Sequence, residues 1–564
     1  MPPYLKYKPS APSPYEIRLA HGGQGITPQV IKNYMMTLKR HSEDTHSFET
    51  RREDFKALLC KWLASADRTV ANTQSLSFRE LFGPEIPNQD ELLSMAEDMA
   101  LNIVRDTQRA VNRIALSIHV SPLSKPRSVS AEVVVSILVH YSSSAGSMEE
   151  RVLGLRSVKA ELKSISDFVW ITMEKYDLPG KLYAIIVDDT KQSDQLVEDI
   201  EQRLLSKGNK FAAKLSRLHC LHHTVRRAAA EFLQSSKSTL GNSRPYDTEA
   251  MLGVLDKLRH IIRYITSRPT DEWRQEANIL PHNLRSLVLI LDNEVNPWPT
   301  IGRMIGRALY LRPTIESFLR THPAIKSYGL SDLEWQQLAF VSTVLNHFVT
   351  TMDRMVLGRS HHGRIGPATL PHLMNVPYCE LLDVIRETLR EVSQANSSFA
   401  SFRNALMVSY DILQANYCSP LYVISAWFDP QTRLNSAVFG SEIERESVTA
   451  ADAHLQNLLR EAYPAPHNYL QAVHQLTLYQ ALPPIEDSEV DPVEWWNLRK
   501  GEFPLLYPIA MGALSVPGTV TAAERHALLF HETQITLRQS SVWGSERDQI
   551  IETMTVIKHD QTMQ

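Results

Sequence analysis

Residues 184–194 read AIIVDDTKQSD, an apolar run that stops abruptly at Asp188 and Asp189. A short apolar run bounded by polar residues reads as a buried strand. A strand that delivers carboxylates at its C-terminal end is a common way to build a metal site. The stretch therefore raises two questions: which elements surround this strand, and whether Asp188 has the partners that such chemistry requires.

Working outward, RIALSIHVSP (113–122) alternates, SAEVVVSILVHYS (130–142) is β-branched and apolar, and RVLGLRSV (151–158) alternates again. The turns between them are SKPRS and SSSAGSMEE, so these segments predict an antiparallel meander. ELKSISDFVWITMEKY (161–176) predicts an amphipathic helix, KLYAIIVDD (181–189) the buried strand, SDQLVEDIEQRLLS (193–206) a second helix, RLHC (217–220) a short strand and HTVRRAAAEFLQ (223–234) another helix. A meander followed by strand–helix–strand–helix gives an α/β fold, a mixed sheet covered by helices.

Upstream, FKALLCKWLASAD (55–67) and ELLSMAEDMALNIVRDTQRAVNR (91–113) repeat apolar residues at helical spacing, behind an opening rich in Pro, Ser and Tyr that reads as disordered. Past residue 235 strand signals nearly vanish. EAMLGVLDKLRHIIRYI, EWQQLAFVSTVLNHFVTTMDRM and CELLDVIRETLREVSQ are long helical stretches, and the all-α region ends in the acidic linker PPIEDSEVDP. The expected organisation is a tail over 1–49, a helical region over 50–112, the first part of the sheet domain over 113–235, a helical insertion over 236–490 and a C-terminal segment over 491–556.

The chain has 59 Lys and Arg against 63 Asp and Glu, which argues against a globally basic nucleic-acid binder and leaves room for a local basic patch. Its four cysteines are far apart in sequence, so neither a disulfide framework nor a cysteine-rich zinc finger is expected. MPPYLKYKPSAPSPY has no apolar core behind a basic flank, and no stretch approaches the roughly 20 apolar residues of a membrane span. The expectation is a soluble, intracellular protein with reduced thiols and no membrane partner.

The segment DPVEWWNLRKGEFPLLYPIAMGALSVPGTVTAAERHALLF, Asp491 to Phe530, carries a Pro-bearing acidic lead, the pair Trp495–Trp496, the step Phe503-Pro504-Leu505-Leu506, the turn Ser515–Pro517 and the pair Glu524–Arg525. In that order these features closely resemble the C-terminal dimerisation region of hAT-superfamily transposases. Upstream, LYAIIVDDTKQSD resembles the family's second catalytic strand, with Asp188 at its aspartate, and RLHCLHHTV resembles its Cys-x-x-His element through Cys220 and His223. The resemblance runs over roughly residues 50–556. It implies a ribonuclease-H-like core split by a helical insertion, self-association through Trp495, Trp496, Phe503, Pro504, Leu505 and Leu506, DNA as a substrate class, and a nuclear location.

The resemblance also implies three carboxylates that hold two divalent ions about 4 Å apart. Asp188 stands at the second position and Glu524 at the third. The first should lie on the opening strand in a Thr-Thr-Asp-x-Trp-like step, where this chain has Ser117-Ile118-His119-Val120-Ser121. His119 occupies the aspartate position. An imidazole is a poor ligand for Mg²⁺, and when protonated it repels the ion. The expectation is a vestigial site with no cofactor, Mg²⁺ being required only if the site is active. The rival is an active metal-dependent transposase in which Glu132 or a water-relayed His119 replaces the lost carboxylate. A third reading is a protein-interaction scaffold with no nucleic-acid role.

The remaining motifs are weighed on their chemistry. VNPWPTIGRM (295–304) stands where family members carry a Trp associated with stacking on DNA; Trp298 is kept between Pro297 and Pro299, and packing is the competing reading. Arg217, Arg226, Arg227, Arg303, Arg307 and Arg312 offer an electrostatic, salt-sensitive route to DNA, against the plainer reading of solvated helix faces. RLHCLHH invites a zinc hypothesis, but a strand-to-helix transition aims those side chains apart, and a packing element is favoured. The first 59 residues contain no cysteine, so the zinc-binding DNA-recognition module of many family members is expected to be absent.

Overall fold

The computed structural model describes residues 113–122, 132–240, 253–267, 297–357, 371–394, 399–417, 419–430, 442–483 and 490–521, with single positions besides. The expected tail and the helical region up to 112 lie outside the described residues, Leu101 and Arg105 excepted, as does the chain after Ala527.

Strands β1 (Ile114–Pro122), β2 (Glu132–Ser142) and β3 (Met148–Lys159) form the expected meander. β1 and β2 are antiparallel, as are β2 and β3. β4 (Leu182–Val187) runs parallel to β1 with Ile118 beside Val187. With β5 (Arg217–His219), which directly follows the short helix α3 (Ala213–Ser216), the five-stranded mixed sheet has the order β3-β2-β1-β4-β5. All of β2 after Glu132 is buried, as expected of a near-continuous apolar run covered on both faces.

One face is wholly apolar. Ile114, Leu116 and Ile118 of β1 join Val133, Val135, Ile137 and Val139 of β2. Against them pack α1 (Leu162–Lys175) through Ile165, Phe168, Val169 and Met173, and α2 (Lys191–Ser206) through Leu196, Val197, Ile200 and Leu204. Fully burying each such side chain contributes about 1.5–3 kcal/mol. Gly154 on β3 permits this approach, since a Cβ there would stand 3.0 Å from the Phe168 ring. The opposite face carries Ser117 and His119 of β1 with Ser136 and His140 of β2, all buried.

The chain divides into two compact units, one comprising residues up to Arg217 together with those from Asp491, the other Leu218–Val490. The second unit is helical: α4 (Leu221–Leu240), α5 (Val254–Thr266), α6 (Pro297–Tyr310), α7 (Arg312–Thr321), α8 (Asp332–Leu357), α9 (Pro371–Val392), α10 (Arg403–Tyr417), α11 (Pro420–Trp427), α12 (Glu442–Ala462) and α13 (Pro466–Ala481). Within this unit α4 packs on α10, where the buried Ser409 hydroxyl donates to the Ala228 carbonyl (2.8 Å).

The C-terminal segment returns to the sheet unit as α14 (Pro492–Leu498) and α15 (Tyr507–Leu514), and α15 packs on β2. Asp491 caps α14, its carboxylate accepting from the Val493 and Glu494 N–H groups. One polar clasp fixes the segment to the β2–β3 turn. Asn497 Nδ2 donates to the Gly146 carbonyl (2.9 Å), and the Tyr507 hydroxyl donates to Asn497 Oδ1 (2.7 Å). Gly146 has a φ of +83°, and a Cβ there would meet Asn497 Oδ1 at 2.1 Å. Gly146→Ala should therefore combine left-handed strain with loss of the clasp and cost about 2–4 kcal/mol. Urea denaturation of the variant measures the loss.

Candidate functional site

The parallel register of β1 and β4 decides the site. Because Ile118 lies beside Val187, the next residues of the two strands, His119 and Asp188, are neighbours at their C-terminal ends. His119 Nδ1 is 3.2 Å from Asp188 Oδ1 and 2.9 Å from Oδ2, and both residues are 8% exposed. The Asp188 turn is held from behind: its carbonyl accepts from the Thr190 N–H (2.9 Å), and Thr190 caps α2 by accepting from the Ser193 N–H (3.1 Å). Glu524 is in a helical turn after α15, its N–H donating to the Val520 carbonyl (2.9 Å).

Burial disfavours charge on the His119 ring. The hydrogen bond to Asp188, the Asp188 charge and the Glu524 charge outweigh it, and the His119 pKa is raised above its ordinary 6.5. The three residues at the expected catalytic positions thus sense one another, but the chemistry differs from that of three carboxylates. The His119 ring stands against the Asp188 carboxylate, bonded to one oxygen and close to the other, on a side from which an ion would approach. The donor set does not fit Mg²⁺, which wants oxygen ligands in near-octahedral array.

Glu132 does not repair the deficit. His119 pairs with Ser136, so Glu132 lies four residues farther along β2, about 13 Å at strand rise. It is exposed and accepts from the Ser157 hydroxyl (3.1 Å). A second polar array shares the sheet face: Ser117 Oγ is 2.7 Å from His140 Nε2, and His140 Nδ1 is 3.5 Å from Glu150 Oε2. No local pattern signals this array, because its members are joined only by strand pairing.

The expected DNA-contact residues fall into different environments. Trp298 is 3% exposed in the first turn of α6, which is what the packing reading expects. Arg217 and Arg312 are already engaged: Arg217 pairs with Asp194 (3.1 Å), and Arg312 with Glu316 (2.6 Å) and Asp332. Arg303 is exposed and Arg307 half-buried on α6, Arg226 half-buried and Arg227 exposed on α4. Cys220 is a buried thiol, in no disulfide, at the β5–α4 junction, its carbonyl accepting from the Thr224 hydroxyl (3.2 Å).

The expected self-association residues turn mostly inward. Trp496, Phe503 and Leu506 are essentially fully buried and Trp495 nearly so, with Trp495 and Trp496 in edge contact at 5.1 Å between centroids. These side chains hold the C-terminal segment together within one chain. Pro504 is exposed and Leu505 half-buried. The outward apolar group is one the sequence reading missed: Leu498, 81% exposed at the end of α14. Its signal was an isolated leucine in the polar run NLRKGE.

Residues 475–542 match the hAT family C-terminal dimerisation region, a segment that starts before Asp491 and contains α14, α15 and Glu524. No curated protein matches the chain. Among the described residues, no helix is long and apolar enough to cross a membrane.

The His119 shift has a consequence for stability. A group whose folded pKa is raised contributes stability that is fully present below its unfolded value and is lost as pH rises through the folded value. The stability difference between the wild-type protein and His119→Gln should therefore be larger at mildly acidic pH than at alkaline pH. Urea titrations of both proteins across the two ranges check the sign.

Proposed function

Starting from the hAT C-terminal dimerisation region, we propose that this is a transposase-derived protein that self-associates through that region and no longer performs DNA strand transfer. The observation that carries the reading is the His119–Asp188 contact, an imidazole standing beside Asp188 where the resemblance implies another carboxylate. The strand order β3-β2-β1-β4-β5, with β2 antiparallel and the helical unit inserted before the C-terminal segment, supports a ribonuclease-H-like core. Self-association is supported by the family match and by the apolar Leu498 on the surface of the matched segment.

DNA is the proposed second partner, with Arg226, Arg227, Arg303 and Arg307 as phosphate contacts; Trp298 is not among them. Contacts of this kind are salt-sensitive and carry no base code. A nuclear location belongs to the same reading. It covers a decayed element product and a protein recruited by its host alike.

One experiment with two readouts tests the reading. Purified protein is sedimented, then incubated with Mn²⁺ and nicked or hairpin DNA, with Asp188→Ala as control. The expected outcome is a dimer or higher species, weakened by Leu498→Glu, and no cleavage. Cleavage abolished by Asp188→Ala would restore the active-transposase alternative, and a monomer at all concentrations would remove the self-association.

A further inference from the structure

In the helical unit, α6 and α8 enclose a groove of about 890 Å³. Small-molecule sites range over roughly 300–1,000 Å³, so the space suits a ligand of nucleotide size. Its floor exists because α6 presents glycines to α8. A Cβ at Gly302 would stand 3.6 Å from Leu345, and one at Gly306 would stand 3.7 Å from Ser342, so the two helices pass close together.

The walls have one sign of charge. Arg303 and Arg307 line the groove from successive turns of α6, and no carboxylate lines it among the described residues. No hydrogen bond or ion pair ties either guanidinium to another described residue, whereas Arg312 of the next helix is paired with Glu316 and Asp332. Like charges four residues apart on a helix repel by a few tenths of a kcal/mol, roughly 0.2–0.5, unless an anion sits between them. Planar guanidinium forks match phosphate oxygens bidentately.

The rest of the lining suits what is attached to a phosphate. Tyr310, 67% exposed, closes the same groove with an aromatic ring, and Thr343 and Asn346 face it from α8. His347 also lines it; burial lowers its pKa, so near neutral pH it serves as a hydrogen-bonding ring and not as a charge.

We propose that this groove binds a nucleotide unit, its phosphates held by Arg303 and Arg307 and its base stacked on Tyr310. The unit is either a free nucleotide or one residue of a single strand. The proposal shares two arginines with the DNA reading above, adds the pocket and the base contact, and is independent of whether the carboxylate site is active.

The test is calorimetric titration of the full chain with ATP, inorganic tripolyphosphate and an oligothymidylate strand, at low and raised salt. Arg303→Ala/Arg307→Ala should weaken every probe that binds by about thirtyfold. Tyr310→Ala should weaken ATP or the strand by about fivefold to tenfold and leave tripolyphosphate unchanged. Circular dichroism confirms that the variants fold, and Arg303→Lys/Arg307→Lys should recover part of the affinity. Binding of ATP identifies a free nucleotide; binding of the strand without ATP identifies nucleic acid; either carries the proposal. Binding of no probe, or binding within twofold of wild type in the double alanine variant, overturns it. The DNA reading fails separately, by absence of salt-dependent affinity for duplex DNA, which leaves the ATP result untouched.

Discussion

The parallel pairing of β1 with β4 is the constraint on which the site depends. Setting Ile118 beside Val187 brings whatever follows on each strand into contact. In a strand pair of this kind the chemistry is decided by two side chains from distant parts of the sequence, and here they are an imidazole and a carboxylate. The raised pKa of His119 and its hydrogen bond to Asp188 are the outcome of that placement, with Glu524 adding to the same field. A carboxylate at 119 would leave several negative charges crowded together and in need of cations. The histidine removes one of those charges and places a hydrogen-bonding ring against Asp188.

Much of the sheet unit was legible because its signals are local. Apolar runs and alternation located β1, β2, β4 and β5, and β3 begins a few residues before its predicted start because the turn at Gly146 is tight. His119 was legible as a departure from a pattern, although its bond to Asp188 depends on register, which sequence does not state. What sequence reading missed involves pairing at a distance. Arg312 and Arg303 look alike in sequence, yet Arg312 is paired with Asp332, twenty residues on, while Arg303 lines a groove with Arg307.

The C-terminal segment separates two uses of large apolar side chains. Trp496, Phe503 and Leu506 have no surface left to offer, and truncating one of them would cost the fold about 3–5 kcal/mol. Their role is to hold α14 and α15 to the sheet unit, with Asn497 bridging Gly146 and Tyr507. An aromatic-rich motif in a region that associates thus need not be the contact itself. The exposed positions around it, Leu498 above all, are the ones available to a partner copy.

The most direct measurement is electron paramagnetic resonance of Mn²⁺ titrated with the wild-type protein and with His119→Asp. On this account the wild-type protein leaves the free-ion signal intact, and His119→Asp diminishes it in a manner lost when Asp188→Ala is added. Mn²⁺ capture by the wild-type protein that depends on Asp188 would contradict the account, because an ion would then share the carboxylate that His119 is held to occupy.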